Sequence, residues 1–205
     1  MTGDLFESDE PRTFDLPDAD VRYWRCVDLG AQPDSILRAL IEQTPWRSEV
    51  ITLWGQQHQQ PRLTAWFGDP GARYTYSGLS LEPLPWTDLL SDIRTRIETL
   101  AESSFNSVLL NYYRDQRDSM GMHSDDEPEL GRNPTIASVS LGQQRTLVLK
   151  RKFRKALKPV HLPLDSGSLL LMKGATQHHW KHGINKESRP CGPRVNLTFR
   201  RILTP

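Results

Sequence analysis

A mainly β fold with a few flanking helices is what this sequence predicts, and three observations carry that reading. From Phe105 to Ile202 the chain breaks into short apolar runs separated by Gly, Pro and charged turns, which is the punctuation of strands. No helical period interrupts those runs, so two stacked sheets in a jelly roll are favoured over a parallel α/β sheet. The long helical stripe comes before them, at Trp86, Leu89, Leu90, Ile93, Ile97 and Leu100, a face that would pack against a sheet.

The elements follow in order. Residues 1–20 hold seven acids (Asp4, Glu7, Asp9, Glu10, Asp15, Asp18, Asp20) against Arg12 and lack apolar periodicity. They are expected as a flexible acidic tail on a single domain of residues 21–205. Pro33 opens a short helix whose Ile36, Leu37, Leu40 and Ile41 share a face, and Pro45 ends it. Val50 to Trp54 reads as a strand, Gly55 and the Gln/His run after it as a turn, and Pro61 to Phe67 as a second strand. The helix from Trp86 leads into strands expected at 105–112, 134–141, 144–150, 167–172 and 194–202.

Charge is unevenly placed. Residues 143–201 carry fourteen Lys and Arg against Asp165 and Glu187 alone, a basic body that faces a polyanion. Two cysteines, Cys26 and Cys191, are too few for a disulfide framework or a zinc ribbon. No apolar run reaches membrane-spanning length, and the N-terminus is acidic where a signal peptide needs bases. The chain therefore reads as soluble and intracellular, cytoplasmic or nuclear, with no membrane partner.

The chemistry-bearing pattern is His123-Ser124-Asp125, followed 57 residues after Asp125 by His182 and then by Arg194-Val195-Asn196-Leu197-Thr198-Phe199-Arg200. Two imidazoles and a carboxylate on one face of a metal leave three positions open, the facial set of non-haem Fe(II) oxygenases, which need room for a bidentate cosubstrate and O₂. His178, His179 and His182 compete for the third ligand place; in a strand, His178 and His182 share a face and His179 does not. Arg194, Asn196 and Arg200 stand at even spacing in an otherwise apolar strand, so all three share a face. An arginine there offers a planar fork to the carboxylate of a dicarboxylic cosubstrate.

Six blocks in order carry a resemblance: Pro61–Asp69, Tyr74–Gly78, Met122–Leu130, Ile136–Gly142, Gly167–Met172 and Pro193–Arg200. Together they resemble the AlkB family of Fe(II)/2-oxoglutarate dioxygenases, on its nucleic-acid repair branch, over roughly residues 50–202. The resemblance implies a double-stranded β-helix (jelly roll) core over about 105–202, N-terminal helices packed on the sheet, and a nucleotide-recognition region at about 50–85. It selects His182 to complete the iron site with His123 and Asp125. It gives the distal carboxylate of 2-oxoglutarate to Arg194, Asn196 and Tyr113, and the end near iron to Arg200 and Asn111.

The implied reaction is oxidative demethylation of N-alkylated bases such as 1-methyladenine and 3-methylcytosine, releasing formaldehyde, succinate and CO₂. The implied partner is alkylated DNA, with RNA not distinguished from it by the residues, and the implied state is a monomer. Tyr74, Tyr76 and Ser77 align with the base-pocket segment, Tyr76 stacking on the base opposite His123. Glu127, two residues past the metal motif, would reach the exocyclic nitrogen of a cationic base. Trp54 ends a strand where an aromatic either wedges into a base stack or packs in a core, and Arg62 reads as a phosphate or base-edge contact or a rim charge. The run Lys150–Lys155 suits backbone phosphates, a contribution that falls with salt. The alternative is a 2-oxoglutarate oxygenase acting on a protein or small molecule, which would need neither Tyr76 nor Glu127.

Overall fold

The computed structural model describes residues 10–53, 56–72, 74–76, 79–153 and 157–203. In chain order the elements begin with β1 (Arg12–Thr13), β2 (Asp20–Trp24) and helix α1 (Pro33–Gln43). A hairpin of β3 (Val50–Leu53) and β4 (Gln56–Gln59), strand β5 (Leu63–Gly68), a hairpin of β6 (Tyr74–Tyr76) and β7 (Leu79–Leu81) and helix α2 (Asp88–Ala101) come next. The second half holds β8 (Ser107–Tyr113), β9 (Met120–His123), β10 (Ile136–Gly142), β11 (Arg145–Arg151) and β12 (Val160–Leu164). It ends with β13 (Ser168–Lys173), a single helical turn α3 (Thr176–His179), β14 (Trp180–Ile184) and β15 (Arg194–Arg200).

Two antiparallel sheets make the jelly roll. The larger runs β1-β2-β13-β10-β15-β8-β5 and the smaller β12-β11-β14-β9. One apolar layer lies between the helices and the outer face of the large sheet, where Leu90, Ile93 and Ile97 of α2 meet Val108, Leu110, Leu197 and Phe199. A second lies between the sheets, where Leu147, Leu149, Leu162 and Trp180 meet Ile136, Leu170 and Met172. The period-two alternation of a strand divides the sequence between these layers. In β15, Val195, Leu197 and Phe199 belong to the helix layer, which leaves Arg194, Asn196, Thr198 and Arg200 for the inter-sheet side.

Helix α2 begins where Thr87 accepts a hydrogen bond from the Leu90 N–H (3.3 Å), a side-chain cap for one of the free first-turn donors. It ends at Glu102, which takes the left-handed conformation (φ 50°). Ile93, with no exposed surface, sits at the centre of its buried face. Ile93→Ala is expected to destabilise the protein by about 2–5 kcal/mol, read by denaturant unfolding, because the void has little room to collapse. Alanine at the half-buried Leu100 should cost clearly less; equal losses would contradict this placement of the core.

Three expectations change. The Gln/His run after Gly55 is not a turn: Gln56–Gln59 pairs with Val50–Leu53 as the second strand of a hairpin. Residues 10–20, expected as part of the tail, are tied down. Phe14, Leu16 and Ala19 pack on the inter-sheet core, Trp180 Nε1 donates to the Pro17 carbonyl (3.0 Å), and Arg151 bonds that carbonyl and Asp18. Strands β2, β9, β12 and β14 were not expected at all; β12 carries Pro163, tolerated because β12 is an edge strand. Trp54 and Ser77 lie outside the described residues, as do the side chains of Tyr74 and Tyr76.

Candidate active site

The two unexpected strands β9 and β14 build the site. They pair so that His123 lies directly opposite His182, with ring centroids 4.3 Å apart. Asp125 follows two residues after β9 on the turn beyond it, and its Oδ2 comes within 3.5 Å of His182 Nε2. One ligand atom from each of His123, Asp125 and His182 falls within 4.8 Å of the others. His178 and His179 are on α3, and His178 Nε2 instead accepts a bond from the Asn133 N–H (3.4 Å).

The protonation states suit a divalent cation. His123 Nδ1 lies 2.9 Å from the Gly121 carbonyl, which fixes it as the donor and leaves Nε2 free to ligate. Burial alone would push the Asp125 carboxyl up, but the Arg200 guanidinium and the two imidazoles outweigh it and hold it at about 2. Burial and the neighbouring His123 push His182 down to about 3, so its imidazole is neutral. Arg200 donates to Asp125 Oδ1, whereas the buried Oδ2 has no hydrogen-bond partner among the described residues. A buried carboxylate oxygen left unsatisfied beside the neutral His182 imidazole and His123 Nε2 is what a metal ion would complete. His123, Asp125 and His182 therefore fit Fe(II) as the facial set.

The cosubstrate side lies between the sheets. Register places Arg194 opposite Tyr113 and Asn196 opposite Asn111 on β8. The Arg194 guanidinium sits 4.9 Å above the Tyr113 ring and donates through Nη2 to Ser140 Oγ (2.9 Å). Among the described residues its buried Nε and Nη1 have no hydrogen-bond partner, and burial pushes its pKa down from the ordinary arginine value. Such a cation calls for an anion. Asn196 is fixed by bonds from Nδ2 to Ser138 Oγ (2.8 Å) and the Val139 carbonyl (3.0 Å). Leu147, Leu164, Leu170 and Ile184 supply the apolar wall of a cavity that reaches His123, Asp125 and His182. A dicarboxylate with one end on the metal and the other on Arg194 fits this lining.

A second cavity, about 350 Å³, is lined by two of these three residues, His123 and Asp125. Arg47, Arg62, Trp66, Glu82, Met122 and Glu127 line it, and it shares His123, Asp125, Met120 and Arg200 with the first. Arg62 is not a rim charge. It is 5% exposed and turns inward, because Nε donates to Asn111 Oδ1 (2.7 Å). The sequence alone assigns no role to Trp66 of β5, although it lies four residues after Arg62 and both line this cavity. It also assigns none to Gln177, whose side chain accepts from the Asp125 N–H (3.0 Å).

Comparison with known proteins agrees with this geometry. The model of the 2OG-Fe(II) oxygenase superfamily matches residues 30–200. Alpha-ketoglutarate-dependent dioxygenase alkB homolog 3 of Mus musculus is 44% identical over 184 residues, which cover 86% of this chain and 63% of that protein. The chain thus spans less than two thirds of the length of that relative. DNA oxidative demethylase ALKBH2 of Mus musculus is 38% identical over 207 residues, covering 92% of this chain and 87% of that protein. The solved structure of OsALKBH1 superposes with a TM-score of 0.65 at 17% identity, over 94% of this chain and 100% of that one, and so shares the fold. The chain belongs to the 2OG-Fe(II) oxygenase superfamily, on its AlkB-like branch, with Fe(II) and 2-oxoglutarate as metal and cosubstrate.

Proposed function

We propose that this protein removes methyl groups from ring nitrogens of alkylated bases in nucleic acid, such as 1-methyladenine and 3-methylcytosine, by oxidative demethylation. The observation that carries the proposal is the junction of the two cavities at His123 and Asp125. A narrow cavity with a buried, unsatisfied arginine suits the cosubstrate, and a roomier one with an indole and a carboxylate suits a planar cationic base. The names of two relatives, an alpha-ketoglutarate-dependent dioxygenase and a DNA oxidative demethylase, support the same reading.

Fe(II) with 2-oxoglutarate and O₂ supplies the oxidation, in which decarboxylation to succinate and CO₂ is coupled to hydroxylation of the methyl group, whose hydroxymethyl product leaves as formaldehyde. The chain's own residues do the rest. Arg194, Tyr113 and Asn196 bind and orient the cosubstrate; Arg200 holds Asp125 ionised and fixed. Leu147, Leu164 and Ile184 exclude water from one side of the metal, and Met120 and Trp66 do so from the other. A base in a duplex must leave its stack to enter the second cavity, which a single strand does at less cost. The basic segment from Lys150 would meet the phosphates. We place the reaction in a monomer, in the cytoplasm or nucleus.

Glu127 lines the base cavity and is half-buried. Glu127→Gln should lower kcat/KM on 3-methylcytosine by about 10-fold or more, since a charge-assisted hydrogen bond contributes about 1.5–3 kcal/mol. On a neutral etheno-adenine lesion the loss should be smaller, and equal losses on the two oligonucleotides would argue against the charge pairing. The activity itself is tested by succinate release. Release stimulated by methylated but not unmodified oligonucleotides supports the demethylase; release indifferent to any oligonucleotide points to a protein or small-molecule substrate.

A further inference from the structure

We infer that Gln177 is a positioning residue for the metal carboxylate, acting through the main chain of Asp125. Asp125 lies on the turn after β9, outside the ladder that fixes His123 and His182. Its N–H is buried and donates to Gln177 Oε1 at 3.0 Å. Gln177 has no exposed surface and stands on α3, the single turn that leads directly into β14 and His182. Its Nε2 faces Met172 Sδ at 3.6 Å, which orients the amide with its oxygen toward Asp125.

Further bonds join the same two segments. Ser124 Oγ donates to the Trp180 carbonyl (2.8 Å). Lys152 Nζ donates both to the Gln177 carbonyl and to Asp126 Oδ2 (2.8 Å each), and the Lys152 N–H donates to the His179 carbonyl (2.8 Å). The turn that carries Asp125 is thus fastened to the segment that carries His182 from both sides, and Gln177 is the buried fastener. An amide in so enclosed a place is costly unless both ends are used, and both are used here. Residues that orient metal ligands typically tune metal affinity by about 10- to 100-fold.

The inference rests on the metal site described above, so the test reads the metal directly. Full-length protein is titrated with Mn(II) alone, free ion being followed by electron paramagnetic resonance, and melting of the metal-free protein is recorded beside it. Gln177→Met keeps length and volume but removes the acceptor. The expected result is Mn(II) affinity weaker by about 10- to 100-fold in a protein that still melts cooperatively. A merely structural Gln177 would lower the melting temperature and leave the affinity of the folded protein unchanged, and that result overturns the inference. If Gln177→Met does not fold, Lys152→Met at the edge of the same clamp is expected to weaken Mn(II) by a few-fold, and unchanged affinity there overturns it equally. Wild-type protein that binds no Mn(II) would sink the metal site itself and the inference with it.

Discussion

Alanine at Asp125 is expected to cost the protein its metal and much of its stability, whereas alanine at His182 is expected to cost the metal and far less stability. In the proposed iron site both side chains are ligands, so either change leaves two protein ligands where the facial set needs three, and turnover should fall to background. Their effects on the metal-free fold differ because their charges differ. Asp125 is an ionised carboxylate, buried against the buried Arg200. Removing it leaves the Arg200 charge without that carboxylate in a low-dielectric place, a loss of about 3–5 kcal/mol. His182 is neutral, its pKa pushed down to about 3, so its removal breaks no charge pair at neutral pH. Its loss should change stability by about 1–2 kcal/mol, within the ordinary range for a truncated side chain. Denaturant unfolding of both variants without metal, beside Mn(II) titration, separates the two costs. Equal stabilities would mean that the Asp125–Arg200 pair contributes nothing to the fold.

Arg194→Met is expected to move stability and cosubstrate affinity in opposite directions. The guanidinium is 1% exposed, and among the described residues its Nε and Nη1 have no hydrogen-bond partner, so without cosubstrate only Ser140 Oγ and the Tyr113 ring offset the cost of burying this cation. Methionine of similar length removes that cost, and the melting temperature without cosubstrate should rise. With 2-oxoglutarate the sign reverses. Wild type gains stability by binding a carboxylate on Arg194, by an amount set by the ratio of ligand concentration to Kd. The variant should lose that gain and show a KM for 2-oxoglutarate raised by at least about 30-fold, since truncating one partner of a buried charge pair costs about 2–5 kcal/mol. A variant whose melting temperature falls without ligand, or whose 2-oxoglutarate dependence is unchanged, would contradict the assignment.

Helix α2 and strands β8, β10, β11, β13 and β15 were readable, because the helix buries a regular stripe and each strand is a short apolar run bounded by Gly, Pro or charged turns. The site was readable in its residues before its geometry. His123-Ser124-Asp125 and the even-spaced Arg194, Asn196 and Arg200 announce themselves, yet the strands that hold the two histidines do not. Met120–His123 contains a glycine and no β-branched residue, and Trp180–Ile184 interrupts its apolar positions with Lys181 and Gly183. Function has displaced strand-forming residues there. The acidic composition of residues 1–20 likewise hid Phe14 and Leu16, which dock on the inter-sheet core. Partners that arise only from tertiary contact, such as Arg62 with Asn111 or Gln177 with the Asp125 amide, lie far apart in sequence and leave no local pattern.

The central claim is that a methyl group on a base is the atom set oxidised. Its most direct test is mass spectrometry of short oligonucleotides carrying 1-methyladenine or 3-methylcytosine, incubated with the protein, Fe(II), 2-oxoglutarate and ascorbate, with a His123→Ala control. The expected result is loss of the mass of one CH₂ per lesion, dependent on every component and absent in the control. Intact methylated oligonucleotides, single- and double-stranded alike, alongside continued succinate release would contradict it.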